Sequence, residues 1–256
     1  MKTFLNSDYP IITGMLKSTT KQDLLAEIKR VRADGAMAYG FQIEHLEDTL
    51  KTREGLGEIL DAMSNKPVYV TNYMRNNHTP NITWETLRDQ LMMALELGAT
   101  LIDIPGDMFD TSEMELTMNK AAIEKQRRLI DEIHERGGEV LMSSHVLRYI
   151  PKETALMIAL QHKERGADIC KIVANASNDA ELRENFEIIH LLESRLGLKH
   201  LTLCNGSHCK KHRRLGPLLG SSLFLATENA KAGQNQPTIA EAIALLKSVN
   251  MYTEGN

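Results

Sequence analysis

The chain has 256 residues, 42% of them hydrophobic and 25% charged, the proportions of an ordinary globular protein long enough to bury one large core. Its net charge of -4, with both signs interspersed, supplies no basic stripe for a phosphate backbone and argues against nucleic acid as a partner. No apolar run approaches the length that crosses a bilayer, and three cysteines (Cys170, Cys204 and Cys209) fit reduced thiols better than a disulfide framework, so the expectation is a cytoplasmic protein with no membrane partner.

In chain order, short apolar runs alternate with longer amphipathic segments. "PIITGML" precedes "KQDLLAEIKRVRADG", where Leu24, Leu25, Ile28 and Val31 recur at helical spacing and Gly35 ends the pattern. "AMAYGFQIE" reads as a second strand, "LEDTLKTREGLGEILDAM" as the crossing to a third, "PVYVTNY", and "TWETLRDQLMMALELG" as a helix opened by a threonine cap. "TLIDIP", "EVLMSSH", "DICKIVA", "HLTLCN" and "GSSLFLA" supply five further strands, with helical segments before the second, third and fourth of these and a last helix in "IAEAIALLKSV". Each parallel return needs a crossover, and about eight repeats close a barrel, so the expected fold is α/β: a (β/α)8 TIM barrel forming one domain over residues 1–256. An open doubly wound sheet is the alternative, but no G-x-G-x-x-G follows the first strand.

Barrels of this kind carry their chemistry where strands end and the following loops begin. That rule selects Glu44 and His45, residues 71–77, Asp103, His145, Lys171, residues 205–214 and the loop 233–236. Lys171 is the odd one, a lysine inside the apolar run "DICKIVA". Its bland reading is an interior salt bridge. Its sharper reading is an amine nucleophile, because burial penalises an ammonium and favours the neutral amine that attacks a carbonyl. With His145 as acid and base on the neighbouring strand, the two make a kit for imine chemistry.

"SSHVL" followed by "GADICKIVA" resembles the S-x-H and "GADI-x-KIA" strands of the type I 3-dehydroquinate dehydratases, and the similarity runs through "KPVYVTNY", "HRRLGPLLGSSL" and "AGQNQPTIAEAI". The resemblance implies a (β/α)8 barrel that needs no metal or cofactor and dehydrates 3-dehydroquinate to 3-dehydroshikimate, in the shikimate pathway, through a lysine imine. It further implies Lys171 as the imine lysine, His145 as the general acid/base, Glu44 as the carboxylate for substrate hydroxyls, Arg213 as the carboxylate-binding arginine and Gln236 as the closing glutamine. Leu46 and Tyr73 stand where the family has arginines, Asn77 where it has the glutamate that pairs with its histidine, and Ala232, Asn205 and Cys209 also depart from its pattern. Arg75 is the candidate to restore one cation.

Two alternatives accompany the dehydratase reading. One is the same imine chemistry on a different carboxylated hydroxy-ketone, and the other is a non-catalytic paralogue that binds a shikimate-like ligand. A small molecule is the expected partner, and a homodimer is expected because two-fold pairs are the commonest oligomers. "HCKKH", residues 208–212, reads as a basic mobile loop that attracts an anion rather than as a zinc site, and Cys170 reads as a packed core thiol.

Overall fold

The computed structural model describes residues 2–75, 77–233 and 235–252. Strands form at the apolar runs: β1 (Ile11–Leu16), β2 (Ala38–Gln42), β3 (Val68–Thr71), β4 (Leu101–Pro105), β5 (Glu139–His145), β6 (Ile169–Asn175), β7 (Lys199–Asn205) and β8 (Leu223–Ala226). The amphipathic segments become α1 (Lys21–Ala33), α2 (Arg53–Ala62), α3 (Trp84–Glu96), α4 (Lys120–Glu135), α5 (Lys152–Arg165), α6 (Asp179–Arg195), α7 (Cys209–Leu215) and α8 (Ile239–Ser248). Threonine or asparagine side chains cap six of the eight helices, Thr20, Thr52, Thr83, Asn119, Asn178 and Thr238, each accepting from a backbone N–H that the first turn leaves without a partner. Gly166 ends α5 in the left-handed region at φ 104°, where a side chain would be strained.

Seven parallel pairings run in the order β7-β6-β5-β4-β3-β2-β1-β8. The last gap, between β7 and β8, is bridged by the residues before β8. The Ser222 N–H donates to the His200 carbonyl at 2.8 Å, and Ser221 Oγ accepts from the Thr202 N–H at 3.1 Å. The result is the expected single-domain (β/α)8 barrel. One local expectation fails: the "HCKKH" segment is not a loop but the start of a helix, α7, in the β7–β8 crossing. It is anchored there by Arg213, whose Nε donates to the Cys204 carbonyl of β7 at 2.9 Å.

Alternation along each strand sorts side chains into two compartments. Ile11, Tyr69, Leu101, Leu141, Ile169, Leu201 and Leu223 fill the barrel interior, while Val70, Ile102, Val140, Met142 and Phe224 face the helices. On β6 this resolves the lysine: Ile169, Lys171 and Val173 point inward, and Cys170, Ile172 and Ala174 pack outward against α5 and α6. Lys171 therefore lies two residues beyond an interior isoleucine, at the upper rim of the apolar core. Among the described residues no helix is long and apolar enough to cross a membrane.

The outer packing leaves little slack. A Cβ built on Gly14 of β1 would stand 2.3 Å from Val31 Cγ1 of α1 and 3.2 Å from the Ala36 Cβ. Gly14→Ala should therefore push α1 off the sheet and lower unfolding stability by about 1–3 kcal/mol, measured by denaturant titration. A variant as stable as the parent would show that this close approach constrains nothing.

Candidate active site

Lys171 is buried, 4% exposed, and each of the three N–H groups of its ammonium has an acceptor. Nζ donates to Tyr73 Oη at 2.6 Å, to Tyr69 Oη at 2.9 Å and to Asp103 Oδ2 at 3.2 Å. Both phenols donate in turn to the same Asp103 oxygen, and Ser143 Oγ donates to Oδ1 at 2.6 Å. The interior salt bridge is thus real, and the lysine also lines a cavity of about 200 Å3 at the mouth of the barrel. Burial alone would raise the Asp103 carboxyl, but the charge of Lys171 and the surrounding hydrogen bonds hold it below its ordinary value.

His145 lies on the strand beside Lys171, its Cα in register with Val173. Its Nδ1 stands 2.5 Å from Glu115 Oε2, and the same oxygen accepts the His145 backbone N–H at 2.6 Å. That contact commits Nδ1 and leaves Nε2 as the ring nitrogen open to a ligand. Burial and the neighbouring charges of Lys171 and Arg75 push the imidazole well below its ordinary value, which favours the neutral form that can act as a base. Burial also pushes Glu115 up to about 7, against the pull of Arg75, whose Nη1 lies 2.9 Å from Oε1.

Sequence reasoning did not find Glu115. It comes from the irregular segment between β4 and α4, far from any motif, and its backbone is left-handed at φ 50°, unusual for a glutamate. Asn77, at the position where the resemblance puts a histidine-pairing glutamate, is used otherwise. It donates to Asn72 Oδ1 and the Tyr73 carbonyl and accepts from Lys51 Nζ at 3.0 Å.

The structure gathers Lys171, His145, Arg213 and Gln236 around the one cavity, together with Met15, Gln42, Thr71, Tyr73, Asn205 and Lys17. Arg213 holds Asn205 Oδ1 at 2.8 Å besides the Cys204 carbonyl, so two of its N–H groups are anchored while the rest of the guanidinium faces the opening. Gln236 Oε1 is buried without a hydrogen-bond partner among the described residues, an acceptor aimed at space a ligand can fill. Glu44 stands one layer back, behind Thr71, whose hydroxyl donates to both carboxylate oxygens at 2.9 and 3.0 Å. Arg75 does not line the Lys171 cavity; with Glu115 and the outer edge of His145 it borders a second cavity of about 350 Å3. Leu46 is fully buried in the apolar layer between barrel and helices.

Lys17, at the end of β1, was also missed, although the strand-end rule that selected the others applies to it. The remaining signals fall away from the cavity. His212 is buried with its ring stacked on Phe186 at 5.1 Å, His208 lies 3.2 Å from Asp179, and His45 pairs its ring with His78 at 5.9 Å. Among the described residues no three His, Cys, Asp or Glu side chains come together as a metal site. Burial pushes the Cys170 thiol up to about 12, as befits a core side chain packed on α5.

Glu44 gives a test of these electrostatics. Burial raises its carboxyl to about 7, whereas in the unfolded chain a glutamate ionises near 4.3. The folded state thus holds a proton that the unfolded state releases, and this group lowers stability as pH rises from about 4 through about 7. Glu44→Gln removes that loss, so the stability of the variant relative to the parent should climb by up to about 3 kcal/mol between pH 4 and pH 8, read from denaturant midpoints. A difference that does not change with pH would contradict the buried neutral carboxyl.

With this geometry in view, the similarities to known proteins are consistent. A family model described as type I 3-dehydroquinase matches residues 14–253. A curated 3-dehydroquinate dehydratase from Syntrophotalea carbinolica is 24% identical over 212 residues, covering 82% of this chain and 79% of the relative. Among solved structures, type I 3-dehydroquinate dehydratase from Clostridium difficile superposes with a TM-score of 0.81 at 15% identity, covering 97% of both chains. The 3-dehydroquinate dehydratase from Geobacillus kaustophilus gives 0.81 at 16% identity, covering 99% of this chain and 97% of the other. At these identities the structural likenesses speak for the barrel, and the family match speaks for descent. Its span takes in almost every strand and helix described above, and the protein belongs to the type I 3-dehydroquinase family.

Proposed function

We propose that the protein is a carbon–oxygen lyase that dehydrates 3-dehydroquinate to 3-dehydroshikimate through an imine on Lys171. The observation that carries this reading is one buried amine and one buried imidazole on adjacent strands, opening into the same small cavity. The Lys171 amine adds to the substrate ketone and water leaves, giving an iminium. The iminium withdraws electrons from the neighbouring carbon, and His145 Nε2 removes a proton there. The electron pair expels the β-hydroxyl, which takes the proton back from His145 and departs as water. Hydrolysis of the product imine then frees the lysine. No step needs a metal or a redox cofactor.

The supporting residues divide the remaining work. Arg213 presents a pre-anchored fork to the substrate carboxylate. Gln236 and Thr71 meet hydroxyls, with Glu44 fixing the orientation of Thr71. Glu115 holds the imidazole through Nδ1 and stabilises the imidazolium that forms during proton transfer. A second reading, the same chemistry on another carboxylated hydroxy-ketone, has a specific motive: Leu46 is turned into the core and Arg75 toward the second cavity, so two expected cations are absent from the substrate cavity. A non-catalytic paralogue is disfavoured by the shared location of the amine, imidazole and guanidinium.

Borohydride reduction in the presence of 3-dehydroquinate should give an adduct at Lys171, found by peptide mass, and none in Lys171→Ala. His145→Ala should still form the adduct while turnover falls by about 100- to 10,000-fold. Glu115→Gln should fall between that variant and the parent. If dehydroquinate leaves no adduct but another carboxylated hydroxy-ketone does, the substrate assignment moves to the second reading. If no ketone is trapped and no turnover is measured, the imine reading is wrong.

A further inference from the structure

Resting on the imine reading, we propose that Tyr73 is a third catalytic residue: its hydroxyl carries protons between the Lys171 nitrogen and the substrate oxygen while the imine forms and breaks. Two phenols touch the lysine, but only one faces the ligand. Tyr73 lines the cavity with Lys171 and His145, whereas Tyr69, fully buried, lies beneath the amine and does not. Among the described residues that line this cavity the other hydroxyl is Thr71, and its proton goes to Glu44. Tyr73 Oη is 2.6 Å from Nζ, so a ketone oxygen on the carbon that Nζ attacks comes within reach of the same hydroxyl.

One carrier can meet the proton count. Ammonium and ketone together yield one iminium and one water, and the two protons the departing oxygen needs are two of the three that Nζ holds. As the C–N bond forms, the carbonyl π pair moves to oxygen, which takes the Tyr73 proton, and Tyr73 takes one from Nζ. The second proton follows the same route. The C–O bond then breaks, water leaves with the bonding pair, and the nitrogen lone pair closes the iminium, which keeps one N–H. Nothing outside the pair of reactants is consumed.

The surroundings suit this role. The Tyr73 hydroxyl donates to Asp103 at rest, so it can turn from that acceptor to the substrate oxygen, and the Asp103 carboxylate stays beneath as the counter-charge throughout. Burial and the charge of Asp103 raise the phenol well above its ordinary value, which keeps the proton in place until an oxygen calls for it. The ring meets His145 edge-on at 4.9 Å between centroids, so the phenol and the imidazole border the same space.

Rapid mixing with 3-dehydroquinate, quenched by borohydride at increasing times, reads the rate of imine formation at Lys171. Tyr73→Phe should slow it by about 100-fold, with binding of a non-reactive alcohol analogue of the substrate unchanged. Tyr69→Phe, which removes a hydroxyl from the same amine on the side away from the ligand, should slow it much less than Tyr73→Phe does. The parent should also show a normal solvent deuterium isotope effect on this step, a readout that needs no variant to fold. Parent-like trapping by Tyr73→Phe, equal slowing in both variants or the lack of an isotope effect each overturns the assignment to Tyr73 while leaving the lysine imine standing. Failure of the parent to form any adduct removes both.

Discussion

Everything at the mouth of this barrel is organised by one buried ion pair, Lys171 with Asp103. Taking either charge from water costs several kcal/mol, and mutual attraction offsets that only when the leftover donors and acceptors are also satisfied. Here they are. Three acceptors meet the ammonium, and four donors from four side chains meet the carboxylate. Tyr69 and Tyr73 on one side of Asp103 and Ser143 on the other follow from that need, because inward-facing positions on β3, just past its end and on β5 are where alternation allows a partner to reach. The layer below is apolar. The amine is therefore held at the boundary between a dry core and a wet cavity, in one position.

Three carboxyl groups lie within this neighbourhood and are driven to different states by their surroundings. Asp103 remains charged because a lysine and three hydroxyls meet it, whereas Glu44 and Glu115 are pushed up to about 7 by burial. Divergence of this kind between titratable groups is a mark of acid–base sites. The support for Glu115 lies outside the barrel. Ser144, facing outward on β5, donates to the Glu115 carbonyl at 2.7 Å and is itself 2.9 Å from His162 Nε2 on α5. Arg165 and Gln126 tie the Gly106 carbonyl at 2.8 and 3.1 Å, and a Cβ on Gly106 would strike the Glu115 carbonyl at 2.6 Å. The loop after β4 is thereby set from behind, and its left-handed glutamate, a conformation that costs of order 1 kcal/mol, is held against the histidine.

The fold was legible because it depends on periodicity. Runs such as "DICKIVA" and "KQDLLAEIKRVRADG" each state their compartment in their own spacing, and about eight alternations of the two leave one economical closure. Lys171, His145, Arg213 and Gln236 were legible for a related reason: each lies on a strand or in the segment that follows one, on the side where the barrel sends its side chains to one place, although for Arg213 that segment is the helix α7. Glu115 and the role of Asp103 were not. Glu115 sits in an irregular segment of its own, and its encounter with His145 depends on hydrogen bonds from α4, α5 and β5 that no local pattern encodes. The direction of Arg75 was equally hidden, since a residue between strand and helix has no fixed periodicity to say which side of the wall it takes. The segment 208–212 misled because its lysines and histidines suggest a solvated loop, whereas Cys209 and His212 are buried on the inner face of α7.

Tyr73 makes more than one contact at the cavity wall. Its neutral ring borders the space and its hydroxyl is bound to the Lys171 amine, while Leu46 lies buried in the core. The charge left on the cavity wall beyond the Lys171–Asp103 pair is then one-sided, with Arg213 from α7 and Lys17 from β1. An anionic group entering the cavity would meet its opposite charge beside those two. The rest of the polar wall is Gln42, Thr71, Asn205 and Gln236, neutral amides and a hydroxyl that can donate or accept. Such groups discriminate by leaving a partner unpaired, not by charge. The cavity thus sets a cationic corner and a buried amine beside a wall of neutral groups that read a ligand by hydrogen-bond geometry.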